Sequence, residues 1–296
     1  MKITVFTPTY NREYLIENLY RSLQRQTVTD FEWLVVDDGS TDGTSAQFAR
    51  WQEEENPFPI RYYWQPNGGK CSAINRGLEL AEGELFFTMD SDDYLTADAL
   101  EKILRWDAAL PKDHKYCGFA GNLGTAPNET PNRVFDQGFF DGSALDRYGI
   151  VDGERAMVFY TYIHRKYPYP LIENEKFMTE AVTWNRMAHD GYKMRFYNDI
   201  IWVYAYKEDG LTRAGNTLFL NNPRGYGLWL REKSKYQKAS VKDKLKMYYT
   251  FTCDLSSRLP SKKIAECIGA PWALIVAMHA FHQFIHHSMG TFVFRK

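Results

Sequence analysis

Short apolar runs alternate with helix-period segments over the first hundred residues. The runs predict strands at Ile3 to Phe6, Phe31 to Val36, Ile60 to Trp64 and Leu85 to Met89. The segments between them predict helices at Glu13 to Arg25, Asp42 to Glu55 and Lys70 to Ala81. Strands that alternate with helices form right-handed βαβ units, so the pattern predicts an α/β fold with a mostly parallel central sheet flanked by helices.

Beyond Asp93 the pattern becomes less regular. Turn signals recur at Gly118, Gly121, Gly124, Pro127, Pro131, Gly138 and Gly142. One helix is predicted from Met178 to Asp190, and an apolar, aromatic strand from Ile200 to Tyr206. We expect this stretch to form a substrate-binding half.

The charge is balanced overall but uneven along the chain. The net charge is −1, yet residues 231–263 carry ten lysines and arginines against three acidic residues. Cys267 to Phe294 then contains no charged side chain apart from histidines. Its apolar core, Ala270 to Met278, is shorter than the about 20 residues that span a bilayer. This segment predicts either a helix packed on protein, including a second subunit, or a helix lying on an anionic membrane.

Four scattered cysteines show neither disulfide nor zinc-site spacing, and the first residues lack the features of a signal peptide. We therefore expect a cytoplasmic protein, either free or peripheral on the inner face of the membrane. No nucleic-acid partner is expected.

Polar residues follow three of the predicted strands, at the sheet edge where ligands bind in such folds. After the fourth strand come Asp90-Ser91-Asp92-Asp93. Clustered carboxylates at one edge repel one another unless a cation compensates, and oxygen ligands of this kind suit Mg²⁺ or Mn²⁺. A solvated, Asp-rich turn is the alternative.

Two other loops carry candidate ligand-binding groups. Of the Asp37-Asp38 pair, one carboxylate fits the N3–H of a uracil ring, on which Tyr10 of the neighbouring loop would stack. Gly68-Gly69-Lys70 lacks the spacing of a P-loop, but it opens a helix, so Lys70 suits a diphosphate. The alternatives are a capped turn at Asp37-Asp38 and a surface lysine at Lys70.

Together these blocks resemble a family 2 glycosyltransferase of the GT-A fold. The resemblance rests on Thr7-Pro8-Thr9-Tyr10-Asn11, Val35-Val36-Asp37-Asp38-Gly39-Ser40-Thr41-Asp42, Asn67-Gly68-Gly69-Lys70, Ala73-Ile74-Asn75-Arg76-Gly77, and Glu82-Gly83-Glu84 leading to Met89-Asp90-Ser91-Asp92-Asp93. It covers roughly residues 1–95 and, in part, residues 173–212. The order and spacing of the blocks carry more weight than any one of them.

The resemblance implies a role for each matching residue. Tyr10 would stack on uracil, Asp38 would accept its N3–H, and Asp90 would hold the ribose. Asp92, with Asp93 as the alternative, would ligate Mn²⁺ or Mg²⁺. The full donor-binding set implied is Pro8, Tyr10, Asp38, Lys70, Asp90, Ser91 and Arg213.

Inverting members of the family need a base for the acceptor hydroxyl. The block from Glu173 to Glu180 matches the family's position for that base, and Glu180 is the predicted residue. Glu175 and Glu173 are the alternatives, and a solvated carboxylate at a helix start is another. Lys207 and Arg213 resemble cations that neutralise the leaving phosphate, or they belong to a charged surface loop.

The predicted function is inverting transfer of a hexosyl-type sugar from a UDP-sugar to a hydroxyl group of a saccharide.

 The acceptor would be lipid-linked, in cell-surface polysaccharide synthesis. The alternatives are a sugar-1-phosphate nucleotidyltransferase and a non-catalytic sugar-nucleotide-binding protein. We expect residues 1–110 to bind the nucleotide-sugar, residues 111–215 to bind the acceptor, and residues 216–296 to form a basic helical extension that contacts a membrane or a second copy of the chain.

Overall fold

A computed structural model describes residues 1–111, 115–146, 149–151, 153–204 and 215–293, with side chains described as far as residue 284. The chain divides into two compact units. The first, the sheet unit, consists of Met1–Pro170 and Thr183–Glu208. The second, the helical unit, consists of Leu171–Val182 and Asp209–Lys296.

The sheet unit contains a nine-stranded sheet. Its strands are β1 (Ile3–Thr9), β2 (Phe31–Asp37), β3 (Ile60–Trp64), β4 (Leu85–Thr88), β5 (Tyr94–Leu95), β6 (Tyr116–Gly124), β7 (Phe139–Gly142), β8 (Arg155–Tyr160) and β9 (Lys193–Val203). Its helices are α1 (Ile16–Gln24), α2 (Thr44–Glu53), α3 (Lys70–Leu80), α4 (Ala99–Ala109) and α5 (Thr161–His164). Helix α6 (Ala181–His189) crosses the boundary between the units.

The first half of the sheet confirms the predicted βαβ pattern. Strand β1 pairs in parallel with both β2 and β4, and β2 pairs in parallel with β3. Thr9 lies level with Asp37, and Phe6 lies level with Thr88. The carboxyl ends of β1, β2 and β4 therefore meet at one edge of the sheet.

An aromatic cluster fixes helices α1 and α2 against this part of the sheet. The ring of Tyr20 lies 4.3 Å from that of Trp51 and 5.9 Å from that of Trp33, measured between centroids. Phe48 packs 5.1 Å from Trp33. All four side chains are buried, so they hold the strands whose ends carry the polar loops.

The turns predicted at Gly118, Gly121 and Gly124 are wrong, because these residues lie in strand β6. These glycines lie within a buried strand that pairs with β8 and β9. A Cβ on Gly118 would lie 2.0 Å from the carbonyl oxygen of Val158, and one on Gly121 would lie 2.8 Å from the side chain of Ile201. These glycines therefore allow neighbouring segments to pack closely against β6 and do not reverse the chain.

Strand β9 is longer than predicted. It begins at Lys193 rather than Ile200, because its first residues pair with both β6 and β7. Arg195 donates two hydrogen bonds to Asp141 of β7, at 2.8 and 2.7 Å. This cross-strand ion pair explains how polar residues occupy a strand.

The helical unit packs helices around a small core of its own. They are α7 (Asn216–Asn221), α8 (Pro223–Tyr236), α9 (Val241–Leu255), α10 (Ser261–Ile268) and α11 (Trp272–Val293). Phe251, Leu255, Ile264 and Ile275 are fully buried in this core. Helix α10 ends at Gly269, whose φ of 67° is the left-handed conformation favoured at helix C-termini. Among the described residues, no helix has both the length and the apolarity to cross a membrane.

Candidate active site

Most of the predicted donor-binding residues meet at the carboxyl edge of the parallel strands. Tyr10 follows β1, Asp38 follows β2, Asp90 and Asp92 follow β4, and Lys70 begins α3. All five belong to the sheet unit. This is the edge at which ligands bind in parallel α/β sheets.

Asn11 ties the loop after β1 to the loop after β2. Its backbone N–H donates to Ser40 Oγ at 2.8 Å, and its Oδ1 accepts from the N–H of Thr41 at 2.8 Å. Its φ of 52° is a left-handed conformation that asparagine tolerates well. The neighbouring Tyr10 remains 48% exposed, so its ring face is available to a ligand.

The two adjacent aspartates have different surroundings. Asp37 is fully buried, and its carboxylate accepts from the N–H of Ser40 at 2.7 Å and from the hydroxyl of Tyr62 at 2.5 Å. Burial and the hydrogen bond to Asp37 raise the pKa of Tyr62. Asp37 therefore supports the loop and does not face a ligand.

Asp38 holds the loop that precedes α3. Its Oδ1 accepts from Gly68 N–H at 2.9 Å and from Gln65 Nε2 at 2.7 Å, and its Oδ2 accepts from Gly69 N–H at 2.7 Å. An ionised carboxylate has about four acceptor positions, so these three bonds leave room for one further donor. Binding of uracil by Asp38 stays a prediction. In the structure, Asp38 also positions the loop that contains Gly68 and Gly69.

Asp90 and Asp92 form the charged centre of this edge. Lys70 Nζ lies 2.8 Å from Asp90 Oδ1. The pKa of Asp92 is raised by burial and by the negative charge of Asp90, while the charges of Arg12 and Lys70 act in the opposite direction. A partly buried carboxylate beside a second carboxylate favours a bound cation.

The carboxylates at this edge could supply part of the ligand set of a divalent ion. Within the described part of the chain, no three His, Cys, Asp or Glu side chains cluster to hold a metal ion. Asp90 and Asp92 offer carboxylate oxygens, and the oxygens of a diphosphate are the usual completion of a Mg²⁺ or Mn²⁺ shell. The donor set thus suits an ion that arrives with a nucleotide.

Asp93 has a structural partner. Its Oδ2 accepts from Trp202 Nε1 at 2.7 Å, and the residue is 8% exposed. Asp92 is consequently the better placed of the two carboxylates to meet a ligand. Of the remaining predicted residues, Ser91 is buried and Pro8 is partly buried in β1, level with Val36 of β2.

The candidate bases lie in the helical unit. Glu175 accepts from the backbone N–H groups of Arg224 and Gly225, both at 2.8 Å, and so caps the first turn of α8. Glu180 lies directly before α6 and is partly buried, whereas Glu173 is exposed. The capping bonds give Glu175 a structural role, which leaves Glu180 as the stronger candidate. Lys207 and Arg213 lie outside the described residues.

Two residues at this edge were not singled out from the sequence. Arg12 acts electrostatically on Asp92, and Gln65 donates to Asp38. Gln65 directly follows β3, as the other polar groups follow their strands. Its position after a strand was therefore the available signal, but glutamine forms no recognisable motif.

Comparisons with solved structures show the fold. The chain is similar in structure to a S. aureus TarS fragment in complex with UDP-GlcNAc, with a TM-score of 0.60 and 17% sequence identity. The match covers 97% of this chain and 92% of the TarS fragment. The chain also covers 75% of a mannosyltransferase from Pyrobaculum calidifontis in complex with GDP-Man and Mn²⁺, over 97% of its own length, with a TM-score of 0.56 and 19% identity. The predicted GT-A fold is confirmed by these neighbours.

A curated relative matches over a shorter stretch. The chain is 34% identical over 108 residues to the GalNAc(5)-diNAcBac-PP-undecaprenol beta-1,3-glucosyltransferase of Campylobacter jejuni. The match covers 35% of this chain and 34% of the relative, so the chain spans about a third of that protein's length.

The family model extends the match further along the chain. The model for Glycosyl transferase family 2 matches residues 4–172, which is more than half of the 296 residues. The matched range contains the loops after β1, β2 and β4 that carry Tyr10, Asp38 and Asp92. The resemblance seen in the sequence is confirmed: the chain belongs to Glycosyl transferase family 2.

Proposed function

We propose that the chain transfers a sugar from a UDP-sugar to a hydroxyl group of a saccharide, with inversion at the anomeric carbon. The observation that carries the proposal is the meeting of Tyr10, Asp38, Asp90 and Asp92 at the carboxyl edge of the parallel strands. Family membership supports the reaction class. The UDP-GlcNAc in the TarS complex supports the donor class.

The nucleotide would bind through its base and its diphosphate. The exposed ring of Tyr10 offers a stacking face, and Asp38 has one acceptor position left for the N3–H of uracil. Lys70 and Arg12 bring positive charge to the same edge as the carboxylates. These cations would offset the charge of the diphosphate.

Asp92 would hold Mn²⁺ or Mg²⁺, and Asp90, whose charge acts on Asp92, would hold the ribose. When bound, the ion supplies positive charge that stabilises the leaving diphosphate. The raised pKa of Asp92 supports this assignment, because it reflects a carboxylate whose charge is not fully compensated in the free chain. The hydrogen bond of Asp93 to Trp202 supports Asp92 over Asp93.

Glu180 would act as the general base. The acceptor oxygen attacks the anomeric carbon while the bond from that carbon to the diphosphate oxygen breaks, and the acceptor proton passes to the Glu180 carboxylate. UDP leaves with the electron pair of the broken bond. The capping bonds of Glu175 to α8 support the choice of Glu180.

We also propose that the acceptor saccharide is lipid-linked and serves cell-surface polysaccharide synthesis. The name of the C. jejuni relative includes PP-undecaprenol, which supports a lipid carrier. The chain would then act at the cytoplasmic side of a membrane.

Calorimetric titration with UDP tests the proposed donor site. We expect Mn²⁺ to tighten UDP binding by at least about tenfold, because Asp92 would hold the ion where its charge offsets that of the diphosphate. The Asp92→Ala variant should bind UDP equally with and without Mn²⁺. Wild-type protein that fails to bind UDP, or that binds it with no response to the ion, would contradict the proposal.

A further inference from the structure

Over residues 272–284, helix α11 exposes an apolar half. Eight residues between positions 272 and 284 are exposed: Trp272, Ala273, Val276, Ala277, Ala280, Phe281, Gln283 and Phe284. At about 100° per residue they cover about half of the helix circumference. Gln283 is the one polar side chain among these eight. A surface helix of a globular protein ordinarily presents charged and polar residues on its outer face.

The other half of α11 accounts for its packing in the helical unit. Ile275 is fully buried in the core that α11 shares with α9 and α10. On the same side, His279 Nδ1 lies 2.8 Å from Ser261 Oγ. The helix is therefore anchored by one half, whereas Trp272 and Phe284 of the other half are 59% and 71% exposed.

Helix α9 extends the exposed apolar surface. Val241 is 75% exposed and Leu245, one turn later, is 41% exposed. Another turn on, the ring of Tyr249 lies 6.0 Å from that of Phe281 on α11. The exposed apolar side chains of the two helices are thereby connected through Tyr249 and Phe281.

Exposed lysines accompany this apolar surface. Lys242, Lys244 and Lys246 alternate with its residues along the first two turns of α9. The acidic residue among them, Asp243, accepts a hydrogen bond from Ser240 Oγ at 2.6 Å in the N-cap of the helix. Lys262 and Lys263, at the start of α10, are exposed as well. Exposed apolar side chains beside exposed lysines suit a partner that presents both apolar chains and negative charge.

We infer that this surface docks on an anionic lipid bilayer. We call it the docking face, defined by Trp272, Phe281 and Phe284 of α11, Val241 and Leu245 of α9, and the three α9 lysines. The apolar side chains would enter the boundary between headgroups and acyl chains, and the lysines would meet lipid phosphates.

A bilayer accounts for this composition better than a second protein chain does. The cores of protein interfaces are depleted of lysine, whereas membrane-surface helices combine large apolar residues with lysine. The inference uses residues of the helical unit alone. Its outcome is therefore independent of the proposed sugar transfer.

Vesicle sedimentation with the full chain tests the docking face. We expect wild-type protein to sediment with vesicles of phosphatidylcholine and phosphatidylglycerol, and to bind pure phosphatidylcholine much more weakly. Replacing Lys242, Lys244 and Lys246 together by Gln should weaken binding to the anionic vesicles by about 100-fold, because each lysine near such a surface contributes about fivefold. The matched control replaces three exposed lysines elsewhere, Lys166, Lys176 and Lys193, by Gln and should bind as wild type does.

The apolar part is tested by a second variant. Replacing Trp272, Phe281 and Phe284 together by Ser should reduce binding by at least about tenfold at both low and high salt. Circular dichroism and thermal unfolding check that the variant is folded, and the exposure of all three side chains makes us expect that it is. A folded variant that binds as tightly as wild type would overturn the inference.

Two results with the wild-type chain would also overturn it. One is recovery of all the protein in the supernatant with anionic vesicles. The other is a dimer in sedimentation equilibrium that the Trp272, Phe281 and Phe284 variant dissociates, without vesicle binding by either protein. That second result would identify the docking face as an interface between copies of the chain.

Discussion

Asp92 occupies a position where its charge is costly to the free chain. Its pKa is raised, first by burial and then by the charge of Asp90. We predict that Asp92→Ala lowers turnover by at least about 100-fold, because the proposed ion would lose a ligand. Initial rates with a saturating donor measure the effect. Asp93→Asn, which retains an oxygen for the Trp202 indole, is the control and should keep most of the activity.

The same position predicts a gain in stability when its charge is removed. In the absence of metal at pH 7.5, Asp92→Asn should raise the Tm by about 1 to 3 °C. A raised pKa in the folded chain means that protonation favours folding. The penalty is therefore absent below the ordinary value of 3.8 and grows as the pH rises through the folded pKa. The gain should vanish as the pH falls toward 3.8, and a lower Tm at pH 7.5 would refute this account.

Variants of Glu180 and Glu175 distinguish the proposed base from a carboxylate with a structural role. We predict that Glu180→Gln lowers turnover by about 10² to 10⁴ while UDP binding is unchanged, because Gln cannot take the acceptor proton. Glu175→Gln should mainly lower the Tm, since the carboxylate caps α8 through Arg224 and Gly225. Turnover and calorimetry on both variants decide the matter. An inactive Glu175→Gln beside an active Glu180→Gln would reverse the assignment.

At the residue scale, the sequence could indicate which groups follow the strands but not what they contact. The positions of Tyr10, Asp38 and Asp92 follow from strand order and motif. That Asp38 also holds Gly68 and Gly69 depends on a loop 30 residues away along the chain. Such a contact has no local pattern, so the structure was needed to find it.

At the scale of elements, close approach of two loops shapes the donor edge. Gly39 has a φ of 90°, and a Cβ there would lie 2.9 Å from the backbone nitrogen of Asn67. Gly191 has nearly the same φ, 93°, but no atom within 4 Å of such a Cβ. A comparison of alanine substitutions at these two glycines therefore separates the effect of backbone strain from the effect of displacing the loop that precedes α3.

We predict that Gly39→Ala weakens UDP binding by at least about tenfold, because it shifts the loop held by Asp38. Both Gly39→Ala and Gly191→Ala should lose about 1 to 2 kcal/mol of unfolding free energy through the strained φ. Calorimetry with UDP and denaturant unfolding measure the two effects. Equal UDP affinity in the two variants would show that the close approach does not position the donor loop.

The elements also show where sequence patterns fail. The four parallel strands were predictable because each is a short apolar run and helix-period segments separate them. Strand β6 was missed because its glycines resemble turn signals, although they lie within the strand where neighbouring chain leaves no room for a Cβ. The start of β9 was missed because its polar residues are compensated by β7, a partner distant along the chain.

At the scale of the whole molecule, the parallel half of the sheet, the GT-A fold and the family were all predictable from the sequence. The uncharged stretch after Glu266 was equally visible, but its pattern left packing and membrane binding open. Burial separates the two halves of α11, because Ile275 lies in the core while Trp272 and Phe284 are exposed. Such a distinction depends on tertiary packing and cannot be derived from composition.

Mass spectrometry of the reaction products tests the central claim most directly. The full chain is incubated with Mn²⁺, a panel of UDP-sugars and lipid-linked saccharide acceptors, in parallel with the Asp92→Ala variant. We predict an acceptor heavier by one sugar residue, together with an equal amount of UDP, for wild type and neither product for the variant. Wild-type protein that instead forms a UDP-sugar and pyrophosphate from UTP and a sugar 1-phosphate, or an Asp92→Ala variant as active as wild type, would contradict the account.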